Sequence, residues 1–351
     1  MESLKRTCIF ILVLAVFLVG ITGRRTASQT KGDIETFYKG KTIKIIVPYS
    51  PGGGVDIWLR ALIPHLEKHT RARVIAEYMP GAGGLVAAAH LYSSAKPDGL
   101  TMAPLQITGL VISEMLELEG VRFEVDKFSF ISRVDVVWRI LFASKASGFK
   151  SIEDMQKATR PIRFGCIEKT SASAIDIAIM SEAFGLKSKI TPGYKGAREY
   201  LLAVIAGREL DGISAYIPGY EKYVQQGDIT MVAVQGNKRF HNFPQVPSIS
   251  EYQPLNPEGK KLLELLNVLI DAGRYVVAAP PGLSEDKRLF LEKAFFESFK
   301  EPALQDWAKK SDVVFSPLSG VECGKLVNRL TEIVPKAERP KLKYILTEKY
   351  F

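Results

Sequence analysis

Apolar positions along the chain alternate between short β-branched runs and stretches of helical spacing. Residues 43–47 (Ile-Lys-Ile-Ile-Val) predict a strand, which the punctuation of Pro48, Tyr49, Ser50, Pro51, Gly52, Gly53 and Gly54 brings to an end. Leu59, Leu62, Ile63 and Leu66 then recur on one helical face, with Pro64 placed to kink that helix. The unit repeats once. Residues 74–77 predict a strand, Met79, Pro80, Gly81, Ala82, Gly83 and Gly84 a loop, and residues 85–92 an alanine-rich helix. Two such units in succession point to an α/β fold, repeated in architecture and not in sequence.

Farther on, strand-like text between residues 130 and 143 predicts a crossover into a second lobe. Residues 162–166 predict a strand. Ile175, Ala178 and Ile179 mark a helix that stops near Gly185, and Leu201, Val204 and Ile205 mark another with Gly207 as its C-cap. Strands follow at 212–217, just after Asp211, and at 231–234. Residues 239–257 are a proline-punctuated loop, and 275–279 predicts a strand returning to the first lobe. Ser284 then caps a helix bearing Leu291, Phe295 and Phe299, and a last helix presents Leu326, Leu330 and Ile333. The expected division is therefore residues 33–138 with 275–351 in one lobe, and 139–274 in the other.

The first 28 residues change the picture. Lys5 and Arg6 precede an apolar run from Cys8 to Val19, and small residues including Gly20, Gly23, Ala27 and Ser28 follow. A basic start, a short apolar core and a small-residue exit predict a secretory leader, hence a periplasmic or otherwise extracytoplasmic protein. The core falls short of the roughly 20 apolar residues of a spanning helix, although an uncleaved anchor is the alternative. Without the leader the 351-residue chain keeps Cys166 and Cys323, too few for a disulfide framework, and both are expected as free thiols. His65 and His69 sit four apart, but the His-Glu-x-x-His pattern is absent, and they are expected on exposed helix surface. Neither a metal nor a cofactor is expected.

The formal charge of +9 suggests acidic partners, yet the basic residues are scattered, and nucleic acid is not expected. The charge serves either solubility or a field that draws anions into a cleft. The two glycine loops are the informative chemistry. Each follows a strand and opens a helix, where unpaired backbone N–H groups and partial positive charge receive anions. Glycine lets a ligand approach the backbone closely. Asp56 follows the first loop, where it can cap the helix or hold the loop in shape. The same glycines can also be two ordinary tight turns. A phosphate-binding P-loop is excluded, because Val55 and Asp56 stand where lysine and serine or threonine belong. A dinucleotide fingerprint fails at Ile57 and Val86, and no Gly-x-Ser-x-Gly elbow marks a hydrolase.

The run from Ile43 to Asp56 closely resembles the opening of the Bug/TctC family, the extracytoplasmic binding proteins of tripartite tricarboxylate transporters. The resemblance continues through Glu77–Gly84, Lys96–Thr101, Tyr194–Gly196, Gly207–Asp211, Arg239 with Pro244, Pro247 and Glu251, and Ala279–Gly282. It implies a two-lobed, type II-like flytrap with a ligand cleft between the lobes and no catalysis. The ligand implied is a small mono-, di- or tricarboxylate. A membrane permease is the implied partner, and a monomer is expected; a sensing subunit and, more remotely, a hydrolase are the alternatives. By the resemblance, one carboxylate is gripped by Tyr49, Ser50, Pro51, Gly52, Gly53, Gly54 and Asp56 of the first loop with Gly81, Ala82, Gly83 and Gly84 of the second. Thr170, Ser171 and Ser173, with Tyr194 and the region of Asp211, supply selectivity from the second lobe. The sequence departs from the family at Cys166, Glu168 and Lys169 in the second-lobe loop, at Leu85, and in a longer helical stretch over residues 256–271.

Overall fold

In the computed structural model the described residues are 31–351, apart from Val137, Ile217, Pro218, His241, Asn242 and Asp312. The expected leader lies outside them. The strands in chain order are β1 (Thr42–Val47), β2 (Arg73–Tyr78), β3 (Thr101–Leu105), β4 (Ser129–Arg133), β5 (Ile140–Ser144), β6 (Ile162–Gly165), β7 (Ser188–Thr191), β8 (Gly212–Ala215), β9 (Ile229–Val234), β10 (Val276–Ala279) and β11 (Leu318–Ser319).

Thr42 and Lys44 of β1 face solvent, whereas Ile43 and Ile45 to Val47 are buried. That burial suits a strand entering a sheet covered on both faces. The first sheet runs β11-β4-β10-β3-β1-β2, with β1 parallel to both β2 and β3. β10 arrives from late in the chain and inserts antiparallel between β3 and β4. The second sheet runs β7-β6-β8-β5-β9. Its outermost long strand, β9, pairs antiparallel with β5. The chain thus forms a two-lobed α/β fold, each lobe built on its own sheet.

Besides the passage into the C-terminal helix, two connections join the lobes, residues 134–139 and the stretch that returns at Tyr275. They are tied where they pass each other. Arg274 Nη2 donates to Asp135 Oδ2 at 2.7 Å, and the backbone N–H of Tyr275 donates to Asp135 Oδ1 at 3.1 Å. Asp135 is 6% exposed, so these bonds satisfy a carboxylate that burial would otherwise penalise.

The helix Gly54–Thr70 carries Pro64 at an exposed interior position. Three expectations need correction. His65 and His69 are partly buried and not surface residues: both face Glu301, His69 Nε2 at 2.7 Å and His65 Nδ1 at 4.0 Å. The strand after Asp211 ends at Ala215, short of residue 217. The C-terminal stretch does not remain with the first lobe. A further helix, Arg339–Thr347, packs on helix Ala172–Phe184, and Ile190 N donates to the carbonyl of Tyr350 at 2.7 Å. Apolar Leu342, Ile345 and Leu346 are buried there, which sets the side the helix chooses.

The helical character of residues 256–271 is present as helix Pro257–Asp271. Asn256 caps it by accepting from Gly259 N at 2.8 Å. Gly259 lets this helix touch helix Ala172–Phe184, since a Cβ there would stand 2.8 Å from the Ala183 carbonyl oxygen. Cys166 and Cys323 are buried free thiols.

Candidate functional site

A cavity of about 460 Å³ lies between the two lobes. Its wall includes the first turns of three helices. Leu85–Ser93 brings Gly83 and Leu85, Ile107–Met115 brings Gln106 and Thr108, and Ala172–Phe184 brings Ser171 and Ser173. None of the three has a side-chain hydrogen bond capping its N-terminus. Each therefore presents the positive end of its dipole to one space, which suits an anion, although at the first helix the N–H of Leu85 is already bonded to the Ala82 carbonyl. The middle helix, together with β3 that leads into it, is absent from the sequence reading. The switch from buried Leu105 to Gln106, Ile107 and Thr108 is the only local signal for it.

The two glycine loops meet at the first-lobe side. A Cβ on Gly84 would stand 3.5 Å from Pro48, so the second loop packs on the start of the first. Gly83 and Gly84 hold φ of 64° and 103°, the left-handed region that glycine occupies without strain. Tyr49 lines the cavity, and its hydroxyl donates to Gln106 Oε1 at 3.1 Å. Burial, with Tyr275 alongside, holds its phenol well above the ordinary range, so it is a neutral hydrogen-bonding group.

Asp56 is turned inward. Its carboxylate accepts from Gly52 N at 2.7 Å, from Arg60 Nε at 2.8 Å and from the Tyr78 hydroxyl at 2.5 Å. The Tyr78 bond, with those from Gly52 and Arg60, brings its pKa down to about 2. It shapes the first loop and contributes nothing to the cavity wall.

On the second-lobe side Thr170, Ser171 and Ser173 line the cavity. Ser171 Oγ donates to the Glu168 carbonyl at 2.7 Å and lies 3.1 Å from Ser173 Oγ. Tyr200 closes part of this wall, its phenol pushed up to about 12 by burial. A polar network that the sequence reading missed reaches the wall through Arg139 and Ser214 and runs behind it through Asp176 and Gln235. Arg139 Nε and Nη2 grip Asp176 at 2.5 and 2.8 Å, Ser214 Oγ donates to the same carboxylate at 2.8 Å, and Gln235 Nε2 donates to Ser214 Oγ at 2.5 Å. Burial raises the Asp176 pKa, against the pull of Arg139 and Ser214. A signal was available. Arg139 follows Val136, Val137 and Trp138, and Asp176 sits within Ala-Ile-Asp-Ile-Ala, and an ionised group inside apolar text requires a partner.

Of the residues expected from the sequence, Tyr49, Ala82, Gly83, Thr170, Ser171 and Ser173 line the cavity. Ser50, Pro51, Gly52, Gly53, Gly54, Gly81 and Gly84 are not among the lining residues. Tyr194 stands a layer back, its ring 6.1 Å from that of Tyr200 and within reach of Gly165. Asp211 is elsewhere. It is 1% exposed and held by both Arg160 (2.6 and 2.9 Å) and Arg163 (3.1 and 3.0 Å). Its own burial opposes ionisation, but Arg160 and Arg163 overcome that and take its pKa well below the carboxylate range. Leu85 reaches the cavity as an apolar contact, and Cys166 is buried outside it.

A family model described as the tripartite tricarboxylate transporter family receptor, TctC, matches residues 59–319. The chain belongs to this family. Among curated relatives, a UPF0065 protein of Bordetella bronchiseptica is 25% identical over 86% of this chain and 83% of its own length. A UPF0065 protein of Cupriavidus necator is also 25% identical, over 60% of this chain, and the match spans 64% of that relative. Solved structures share the fold. A TctC solute-binding protein from Polaromonas superposes with a TM-score of 0.70 at 21% identity, covering 88% of this chain and 98% of that one. Two Rhodopseudomonas palustris proteins also match: MatC with bound malate at TM-score 0.60 and 18% identity (86% and 99% covered), and one with adipate at 0.61 and 17% (86% and 97%).

Proposed function

We propose that this TctC chain captures a small carboxylate between its lobes outside the cytoplasm and passes it unchanged to a membrane permease. The observation that carries the reading is the convergence of three uncapped helix N-termini on one inter-lobe cavity. Backbone N–H groups and hydroxyls bind a carboxylate without a mobile counter-charge, and they suit a site that must also release its ligand. Gly83, Ala82 and Tyr49 grip the carboxylate from the first lobe, while Thr170, Ser171 and Ser173 complete its shell from the second. The paired connections at Asp135 and Arg274 serve as the hinge about which the lobes close. Malate and adipate in two proteins of the same fold support the ligand class.

Isothermal titration of the purified protein with a panel of mono-, di- and tricarboxylates tests the reading. Micromolar or tighter binding, a raised melting temperature and recovery of chemically unchanged ligand are expected. Consumption of the ligand would replace capture with catalysis, and failure of the whole panel would remove the carboxylate assignment.

A further inference from the structure

Charge in the cleft is distributed in a way that bears on how many carboxylates the ligand carries. Arg139 is the one cationic side chain in the cavity wall among the described residues, and its side chain is 13% exposed. Its charge is already matched by Asp176, which is fully buried and holds it through two hydrogen bonds. Ser214 and Gln235 brace that carboxylate from β8 and from the residue after β9, so Arg139 is fixed in place. Nε and Nη2 go to Asp176, which leaves Nη1 as the guanidinium nitrogen not engaged with that carboxylate. Two glutamates without an ion-pair partner among the described residues also line the cavity: Glu119 from the first lobe and Glu168 from the second.

We propose that the ligand is a monocarboxylate whose far end carries a neutral oxygen acceptor, read by Arg139, and that the site discriminates against di- and tricarboxylates. This rests on the carboxylate-capture reading and narrows it. One carboxylate is served by the helix N-termini. A second one would meet an arginine whose charge is spent on Asp176, together with two glutamates that closure draws toward it, in a space where water no longer screens like charges. A carbonyl, hydroxyl or amide oxygen accepts from Arg139 Nη1 without adding charge. Arg139 is thus the specificity residue, and Asp176 is the positioning residue that also sets its effective charge.

Calorimetry with matched pairs on the full protein tests this: succinamate against succinate, glutaramate against glutarate, and adipamate against adipate. At pH 7 the monoamide of at least one pair is expected to bind tenfold or more tightly than its diacid. The double variant Glu119→Gln/Glu168→Gln, at two exposed positions that leave the fold intact, is expected to shrink that ratio threefold or more. Asp176→Asn, which releases the Arg139 charge, is expected to shift the ratio further toward the diacid, and Arg139→Met to lower affinity for the monoamide. A wild-type protein that binds the diacid as well as its monoamide, or better, overturns this inference and leaves carboxylate capture standing. An unchanged ratio in the folded double variant also overturns it. Binding of neither member of any pair removes the capture reading and this one with it.

Discussion

The backbone N–H of Gly52 donates to the carboxylate of Asp56 at 2.7 Å, closing the first glycine loop on its own helix. The same carboxylate takes Arg60 and the Tyr78 hydroxyl, so one buried side chain joins the loop, the helix and the end of β2. An aspartate facing an incoming anion would repel it. Turned inward, it holds the loop in shape. Its pKa of about 2, against an ordinary 3.8, makes the latch pH-dependent. A carboxylate depressed on folding contributes stability that is fully present above its unfolded pKa and lost as pH falls through the folded one. The melting-temperature gap between the natural protein and Asp56→Asn should be constant from about pH 5 to 8 and should close between about pH 4 and 2. A gap that persists unchanged at the acid end would show that Asp56 acts by shape alone.

Gly83 and Gly53 are equivalent as sequence, each a glycine in a loop between strand and helix. The geometry separates them. Gly83 lines the cavity at φ 64° with open space where a Cβ would go, so valine there is both strained and intrusive. Gly53 has φ of −76° and lies off the cavity wall, with Ser50 O 3.3 Å from a Cβ. Gly83→Val should cost about 1–2 kcal/mol of stability from backbone strain and at least tenfold in affinity. Gly53→Val should cost less than threefold by the same titration.

Asp211 carries stability and not affinity. Removing a buried carboxylate from two arginines, both partly exposed and so partly screened, should cost about 2–3 kcal/mol. Urea unfolding of Asp211→Ala should show that loss, while calorimetry of the folded variant should give an affinity within twofold of the natural protein. A large loss of affinity with little loss of stability would return Asp211 to the site.

Burial pushes the Cys166 and Cys323 thiols up to about 11. At pH 8 the reactive thiolate is then roughly one part in a thousand. A thiol reagent should leave the native protein unlabelled over an hour. In denaturant it should count two thiols if the leader has been removed, or three if Cys8 is retained. Fast labelling of the native protein would mean that one thiol is reachable.

The sequence reading reached the first-lobe units and the loops that open them, because proline and glycine punctuation between apolar runs is a local signal. It reached Ser171 and Ser173 for the same reason: they stand at a strand-to-helix junction. Asp211 stands off the cavity wall, and a carboxylate beside a strand looks the same in sequence whether it meets a ligand or two arginines. Arg160 and Arg163 are about fifty residues upstream of it. The network of Arg139, Asp176, Ser214 and Gln235 draws on four separate segments, so no window of sequence contains it.

What the sequence determined by itself was the alternation of strands and helices and the glycine loops between them. Hydrophobic period, turn residues and helix starts are properties of neighbouring positions, and they act before the chain is compact. Tertiary structure alone decided which helix ends point into one cavity, which lobe receives the C-terminal helix and whether a charged side chain faces the ligand or another residue. These depend on distances between segments far apart in the chain. An aspartate such as Asp56 takes the inward bond because packing places Gly52, Arg60 and Tyr78 around it together.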